Sequence, residues 1–138
     1  MAHTIEKHWR LPQPRERLYD AWVSSDTVIP PATRMDVRAE VGGHYRLFIE
    51  TDELTARAEG TFSEVEPGLR LVYSWAWDDG PESRIEVVFE DDGDGTALRL
   101  VHSGLPDEDA RTAHDAGWDA YVAQLRTLLG GAASMETP

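Results

Sequence analysis

Between Met35 and Ser103 apolar residues recur at every second position, in short runs separated by turn residues; before and after that region the period changes. Residues 3–11 open the chain with alternation. Ile5, Trp9 and Leu11 share one parity and Glu6, His8 and Arg10 the other, the pattern of a half-buried strand. Pro12 and Pro14 stop it, and Pro14 suits the first position of a helix. The following PRERLYDAWVSSD spaces Leu18, Ala21 and Trp22 at i, i+3 and i+4, which predicts a short amphipathic helix, with Pro30 and Pro31 barring any continuation. In the period-two region MDVRAEV predicts a short strand and Gly42-Gly43 a turn or bulge. HYRLFIE aligns Tyr45, Leu47 and Ile49. LTARAEGTFSEVE then runs to a turn at Pro67-Gly68. LRLVYSWAW puts Leu69, Leu71, Tyr73, Trp75 and Trp77 on a single face. A turn at Asp79-Gly80-Pro81 leads to SRIEVVFED, with Ile85, Val87 and Phe89 aligned. DDGDG marks a hairpin, and TALRLVHSG returns with Leu98, Leu100 and His102 on one face.

After Pro106 the period becomes helical. Ala110, His114, Gly117, Trp118, Tyr121, Leu125 and Leu128 step by threes and fours along one stripe. A helix over 107–129 would be about 35 Å long, the one element large enough to cover the apolar face of an antiparallel sheet. Gly117 in its middle costs roughly 1 kcal/mol relative to Ala. Either close approach to the sheet or room left for a cavity would account for it. The expected organisation is one domain over residues 1–130 and a flexible tail over 131–138 (GAASMETP being its end of the chain).

Composition narrows the function. Thirteen Lys plus Arg against twenty-six Asp plus Glu give a formal charge of −13, and the pI is near 4.6. Such an excess repels phosphate backbones and anionic lipid, so neither nucleic acid nor a membrane is an expected partner. The chain has no cysteine, which removes disulfides, thiolate nucleophiles and thiolate metal sites. MAHTIEKHWRLP lacks the apolar core of a signal peptide, and no stretch approaches the ~20 apolar residues of a spanning helix, so a cytoplasmic location is expected.

Two constellations carry candidate chemistry. Tyr73, Trp75 and Trp77 give a sheet face of flat, weakly polar walls suited to an aromatic ligand, or simply a bulky core. His102 by strand parity and His114 by helical spacing face the same interior, the latter in line with Trp118 and Tyr121. Two imidazoles there have the chemistry of a general acid and base near neutral pH, or of anchors for a ligand carbonyl or hydroxyl. Each equally fits a core-edge histidine held by a backbone or carboxylate partner. No third group stands at metal-ligand spacing, and Glu90-Asp91-Asp92-Gly93-Asp94-Gly95 lacks the register of a calcium loop, so no metal and no cofactor is expected. Asp36, Arg38 and Arg46 near the Gly42-Gly43 turn read as a surface ion-pair network in preference to a polar cluster closing one end of the cavity. No GxSxG, phosphate loop or dinucleotide fingerprint occurs.

Four stretches in order, PRERLYDAWVSSD, DVRAEVGGHYR, FSEVEPGLRLVYSW, and GTALRLVHSGLP with HDAGWDAYVAQL, span almost the whole chain. In that order they resemble the helix-grip (START/Bet v 1-like, SRPBCC) superfamily, and within it the family named after the activator of heat-shock protein 90 ATPase. One departure stands where the family usually carries a further Trp before the DVR segment and this chain has VIPPATR. The resemblance implies an α+β helix-grip fold: a curved antiparallel sheet of about six to seven strands wrapped around a long C-terminal helix, short helices after strand 1, and a cavity between sheet and helix.

The expected function is carriage or sequestration of a small hydrophobic, aromatic or polyketide-like molecule. Trp22, Tyr45, Tyr73, Trp75, Trp77, Trp118 and Tyr121 would form the walls and His102 and His114 the polar anchors. No residue is assigned as catalytic. One alternative is a cofactor-independent cyclase, dehydratase or hydrolase with His102 and His114 as acid and base. Another is a co-chaperone-like interaction module. A homodimer is compatible with a domain of this size, although nothing in the chain specifies its interface.

Overall fold

The computed structural model describes residues 3–25, 27–28, 32–78 and 80–129. They form β1 (His3–Leu11), α1 (Arg15–Trp22), β2 (Arg34–Val37), β3 (His44–Glu50), β4 (Thr55–Glu66), β5 (Arg70–Trp77), β6 (Ser83–Asp92), β7 (Gly95–Leu105) and α2 (Glu108–Leu128). The strands make one antiparallel seven-stranded sheet in the order β1-β7-β6-β5-β4-β3-β2. From β2 to β7 each strand pairs with the next in sequence, whereas β1 pairs with β7 at the far edge. The chain between β1 and β2 must therefore cross the full width of the sheet, and α1 is part of that crossing. The expected helix-grip architecture is the one found. The tail 131–138, Pro30, Pro31 and Asp79 lie outside the described residues.

Local rules explain the boundaries. Pro14 is the N-cap of α1 rather than its first helical residue, extended at ψ 154. Leu18, Tyr19 and Trp22 go inward, and the rings of Tyr19 and Trp22 meet Phe89 of β6 edge-on at 5.8 and 6.0 Å. The DDGDG run is a two-residue hairpin: Asp92 pairs with Gly95 across it, and Gly93 takes a left-handed φ of +62°. Asp107 caps α2 by accepting the Ala110 N–H at 2.8 Å, and Glu108 and Asp109 add negative charge where the helix dipole favours it.

Register shifts in β4 between Phe62 and Glu64, and in β1 between His3 and Ile5, interrupt the ladders in the way that bends a sheet. Beside the first of these Gly60 lies so close to β5 that an added Cβ would fall 1.6 Å from the Ser74 carbonyl oxygen. The neighbouring Thr61 N–H is taken by the Ser74 hydroxyl at 2.9 Å.

Two expectations on burial need correction. Leu69 is 44% exposed, because β5 begins one residue later and Leu69 belongs to the turn after Pro67-Gly68. On α2 the buried residues are Trp118, Val122 and Leu125, while Leu128 is 55% exposed. The expected stripe rested on residue spacing alone, which does not fix the roll of the helix over the sheet. Instead α2 lies along β1 and β7, with Lys7 of β1 bound to Asp115 and Asp119 at 2.7 Å each. That anchorage turns Val122 inward and leaves the face bearing Ala113, Gly117 and Ala120 away from the closest sheet contacts.

An added Cβ at Gly117 would meet nothing within 4 Å, so this glycine borders open space rather than a close approach. The two glycines should respond in opposite directions. In urea denaturation Gly60→Ala is expected to lose at least ~2 kcal/mol through backbone overlap. Gly117→Ala is expected to gain up to ~1 kcal/mol from helix propensity. Equal destabilisation by both would contradict the open space beside α2.

Candidate functional site

Because α2 hugs β1 and β7, the middle of the helix and the β3–β5 half of the sheet face each other across a cleft of about 330 Å³. Alternation on β3 and β5 points Tyr45, Leu47, Trp75 and Trp77 into it. Steps of three and four on α2 supply Ala113, His114, Gly117, Trp118, Ala120 and Tyr121. A smaller hollow of about 130 Å³ shares Trp75, Trp77 and His114 with the cleft and is closed by the β5–β6 turn and the start of α2. Among the described residues, no ionisable group other than His114 and the Tyr45 and Tyr121 phenols lines either space.

The inner wall is an aromatic lattice. Tyr45 stacks on Tyr73 at 5.0 Å and Trp22 on Trp118 at 5.9 Å, while Tyr121 meets Trp22 edge-on at 4.9 Å. Trp75 is edge-on to Trp77 at 5.8 Å. The polar tips inside this lattice satisfy one another: the Trp22 indole N–H donates to the Tyr73 hydroxyl at 3.2 Å, and the Tyr45 and Tyr121 hydroxyls are hydrogen-bonded. Burial pushes the Tyr45 phenol up to about 12, and it holds those of Tyr73 and Tyr121 well above the usual tyrosine range. All three stay neutral, so the wall carries no charge.

His102 is fully buried in the middle of a directed chain of hydrogen bonds. The Trp118 indole N–H donates to His102 Nδ1 at 3.1 Å. An indole nitrogen only donates, so Nδ1 holds a lone pair and the ring proton sits on Nε2. That proton goes to the Ser83 hydroxyl at 2.7 Å, and the hydroxyl donates to the Trp75 carbonyl at 3.1 Å. Both ring nitrogens are used in the neutral form. Burial first, and the nearby His114 second, lower the His102 imidazole to about 3.

His114 does face His102, their rings edge-on at 4.9 Å. Its Nδ1 lies 2.7 Å from the Ala110 carbonyl one turn back; the carbonyl only accepts, so Nδ1 is the donor. Its Nε2 is shut off from solvent without a hydrogen-bond partner, and so is the indole Nε1 of Trp75.

All nine residues singled out in the sequence belong to one connected cluster. Tyr45, Trp75, Trp77, His114, Trp118 and Tyr121 line the cleft, whereas Trp22, Tyr73 and His102 stand behind its wall. The sequence reading missed Leu47, Ala113, Gly117 and Ala120 as lining. Leu47 shares Tyr45's parity, Gly117 lies on the helical stripe and by sequence suggests only close approach or room for a cavity, and Ala113 and Ala120 flank the stripe by one residue. It also missed Ser83, the buried partner of His102, for which a lone serine at a strand start gives no signal. The surface cluster has other members than expected: Asp36 pairs with His44 at 3.1 Å and Arg46 at 3.7 Å, Arg46 also meets Glu59 at 3.3 Å, and Arg38 turns to Glu40.

Residues 12–130 match the family described as Activator of Hsp90 ATPase homolog 1-like protein. No curated protein sequence matches the chain. Among solved structures, protein CV1439 from Chromobacterium violaceum superposes with a TM-score of 0.79 at 25% identity, covering 91% of this chain and 95% of that one. The HSP90 activator PFC0360w from Plasmodium falciparum gives 0.75 at 21%, covering 94% and 96%. DynU16, from the dynemicin biosynthetic locus, gives 0.75 at 19%, covering 91% of this chain and 46% of its own. The last two likenesses are of fold alone. No helix among the described residues is long and apolar enough to cross a membrane.

The buried imidazole makes stability depend on acid. Folded His102 takes up a proton only near pH 3, whereas an unfolded histidine does so near 6.5. The unfolded chain therefore binds more protons between those values. This contribution is whole above pH 6.5 and is lost progressively as pH falls toward 3. Between pH 7 and 5 the group should cost about 2 kcal/mol of stability. Denaturant unfolding at both values should show that loss in the wild type and a smaller one in His102→Gln. Identical losses would contradict a neutral, buried His102.

Proposed function

The chain belongs to the family of Activator of Hsp90 ATPase homolog 1-like proteins, and we propose that it binds a small hydrophobic molecule, aromatic or polyketide-like, in the cleft between α2 and the β3–β5 half of the sheet. The observation that carries this reading is a roughly 330 Å³ cleft with walls of Tyr45, Trp75, Trp77, Trp118 and Tyr121, beside a helix with glycine near its middle. Rigid rings bind other rings with little loss of side-chain entropy, and a site with so few polar groups favours a neutral, largely apolar guest. Binding that preserves the ligand, as in carriage or sequestration, fits the histidines better than turnover does. His102 spends both nitrogens on internal partners, so only His114 has a nitrogen left for a guest. Acid–base chemistry by the pair lacks one of its two members.

The interaction-module reading has less support. The large exposed apolar side chains Val28, Val41, Leu54, Leu69 and Leu128 are distributed over separate segments of the chain. Isolated exposed apolar residues are ordinary on a soluble surface.

Native and then denaturing mass spectrometry, after incubation with polycyclic aromatics, polyketide-like compounds, sterols and fatty acids, tests the proposal. The expected result is an aromatic guest retained at unchanged mass. A guest released with altered mass would replace binding with catalysis, and retention of fatty acids alone would contradict an aromatic site. Gly117→Leu, which fills open space from the helix, is expected to keep the fold by circular dichroism and weaken binding at least tenfold. Undiminished binding in that variant would move the site elsewhere.

A further inference from the structure

We propose that the cleft selects neutral aromatic molecules bearing a ring hydroxyl, read by His114 Nε2 as acceptor and Trp75 Nε1–H as donor; this rests on the binding reading above. Within the aromatic lattice the polar tips of Trp22, Trp118, Tyr45, Tyr73 and Tyr121 and both nitrogens of His102 have partners, while His114 Nε2 and Trp75 Nε1 do not. Both atoms are closed to solvent, and a buried polar group without a partner is costly, so native proteins rarely keep one without a use.

Their chemistry is fixed by what surrounds them. His114 commits Nδ1–H to the Ala110 carbonyl at 2.7 Å, which in the neutral ring leaves Nε2 a lone pair. The Trp75 indole nitrogen has a hydrogen to give and nothing to accept with. The two residues line the cleft together and also share the small hollow beside it. With both polar atoms closed to solvent in the unliganded chain, a guest's hydroxyl would engage them by parting the His114 and Trp75 rings where the two spaces meet, its own ring lying along the aromatic walls. A phenolic hydroxyl meets both demands, its O–H donating to His114 and its oxygen accepting from Trp75. A ketone or ether serves only Trp75, and a hydrocarbon serves neither. Among the described lining residues a carboxylate would meet no Lys or Arg, and an ammonium group no Asp or Glu.

Calorimetric titration of the full chain with three ligands of one shape separates the terms: 2-naphthol, 2-methoxynaphthalene and 2-methylnaphthalene. The wild type is expected to bind 2-naphthol about tenfold more tightly than the ether. His114→Leu should bring the ratio of 2-naphthol to 2-methoxynaphthalene affinity close to one, whatever it does to the affinity for 2-methylnaphthalene. Trp75→Phe gives an independent readout should the first variant fold poorly. It should weaken 2-naphthol and the ether severalfold relative to 2-methylnaphthalene. Equal wild-type affinity for all three overturns the hydroxyl reading and leaves an apolar aromatic site standing. No binding of any of the three overturns both readings together.

Discussion

The position of α2 decides what the molecule has to offer, and a single hydrogen-bonded chain fastens it. Trp118 donates to His102, His102 to Ser83, and Ser83 to the Trp75 backbone, which ties the helix to β7, β6 and β5 in turn. A buried imidazole with both nitrogens engaged has one favourable protonation state and one orientation, so the helix cannot slide or roll without orphaning it. On the outside Lys7 grips Asp115 and Asp119. Lys7 is largely sheltered and both carboxylates are partly exposed, so the grip sets orientation more than it adds stability.

With the helix held along the β1–β7 edge, the opposite half of the sheet is left without a close helical cover. An apolar sheet face cannot stay open to water at no cost. The chain meets this with rings: Trp22 from α1, Tyr45 and Tyr73 from the sheet, and Trp118 and Tyr121 from α2 interlock and share their polar tips. What remains is a cleft bordered on the helix side by alanines and Gly117. Position, shape and neutrality of the cleft therefore share one origin.

Much of this was legible in the chain. Period-two alternation from Met35 to Ser103 placed the strands, and the 3.6-residue period after Pro106 placed α2 to within a residue at each end. The joining of His102, His114 and Trp118 was also readable, since strand parity and helical spacing each fix a face. Helix roll was not readable, because periodicity names a stripe but not its direction over a sheet. Val122 and Leu128 consequently exchanged places. Partner choice was hidden for the same reason: Ser83 meets His102 only through the β6–β7 register, two residues from where a turn signal stands. Division of the aromatics into lining and backing depended on depth, which alternation does not encode.

The most direct measurement is a ¹H–¹⁵N titration of the five tryptophan indoles with 2-naphthol. Trp22 and Trp118 spend their N–H groups inside the fold, Trp9 lies on β1, and Trp75 and Trp77 border the cleft, with the Trp75 N–H unpaired. Saturable shifts should be largest at Trp75, appear at Trp77, and be absent at Trp9. Shifts led by Trp9, or five unmoved indoles, would contradict a ligand site between α2 and the sheet.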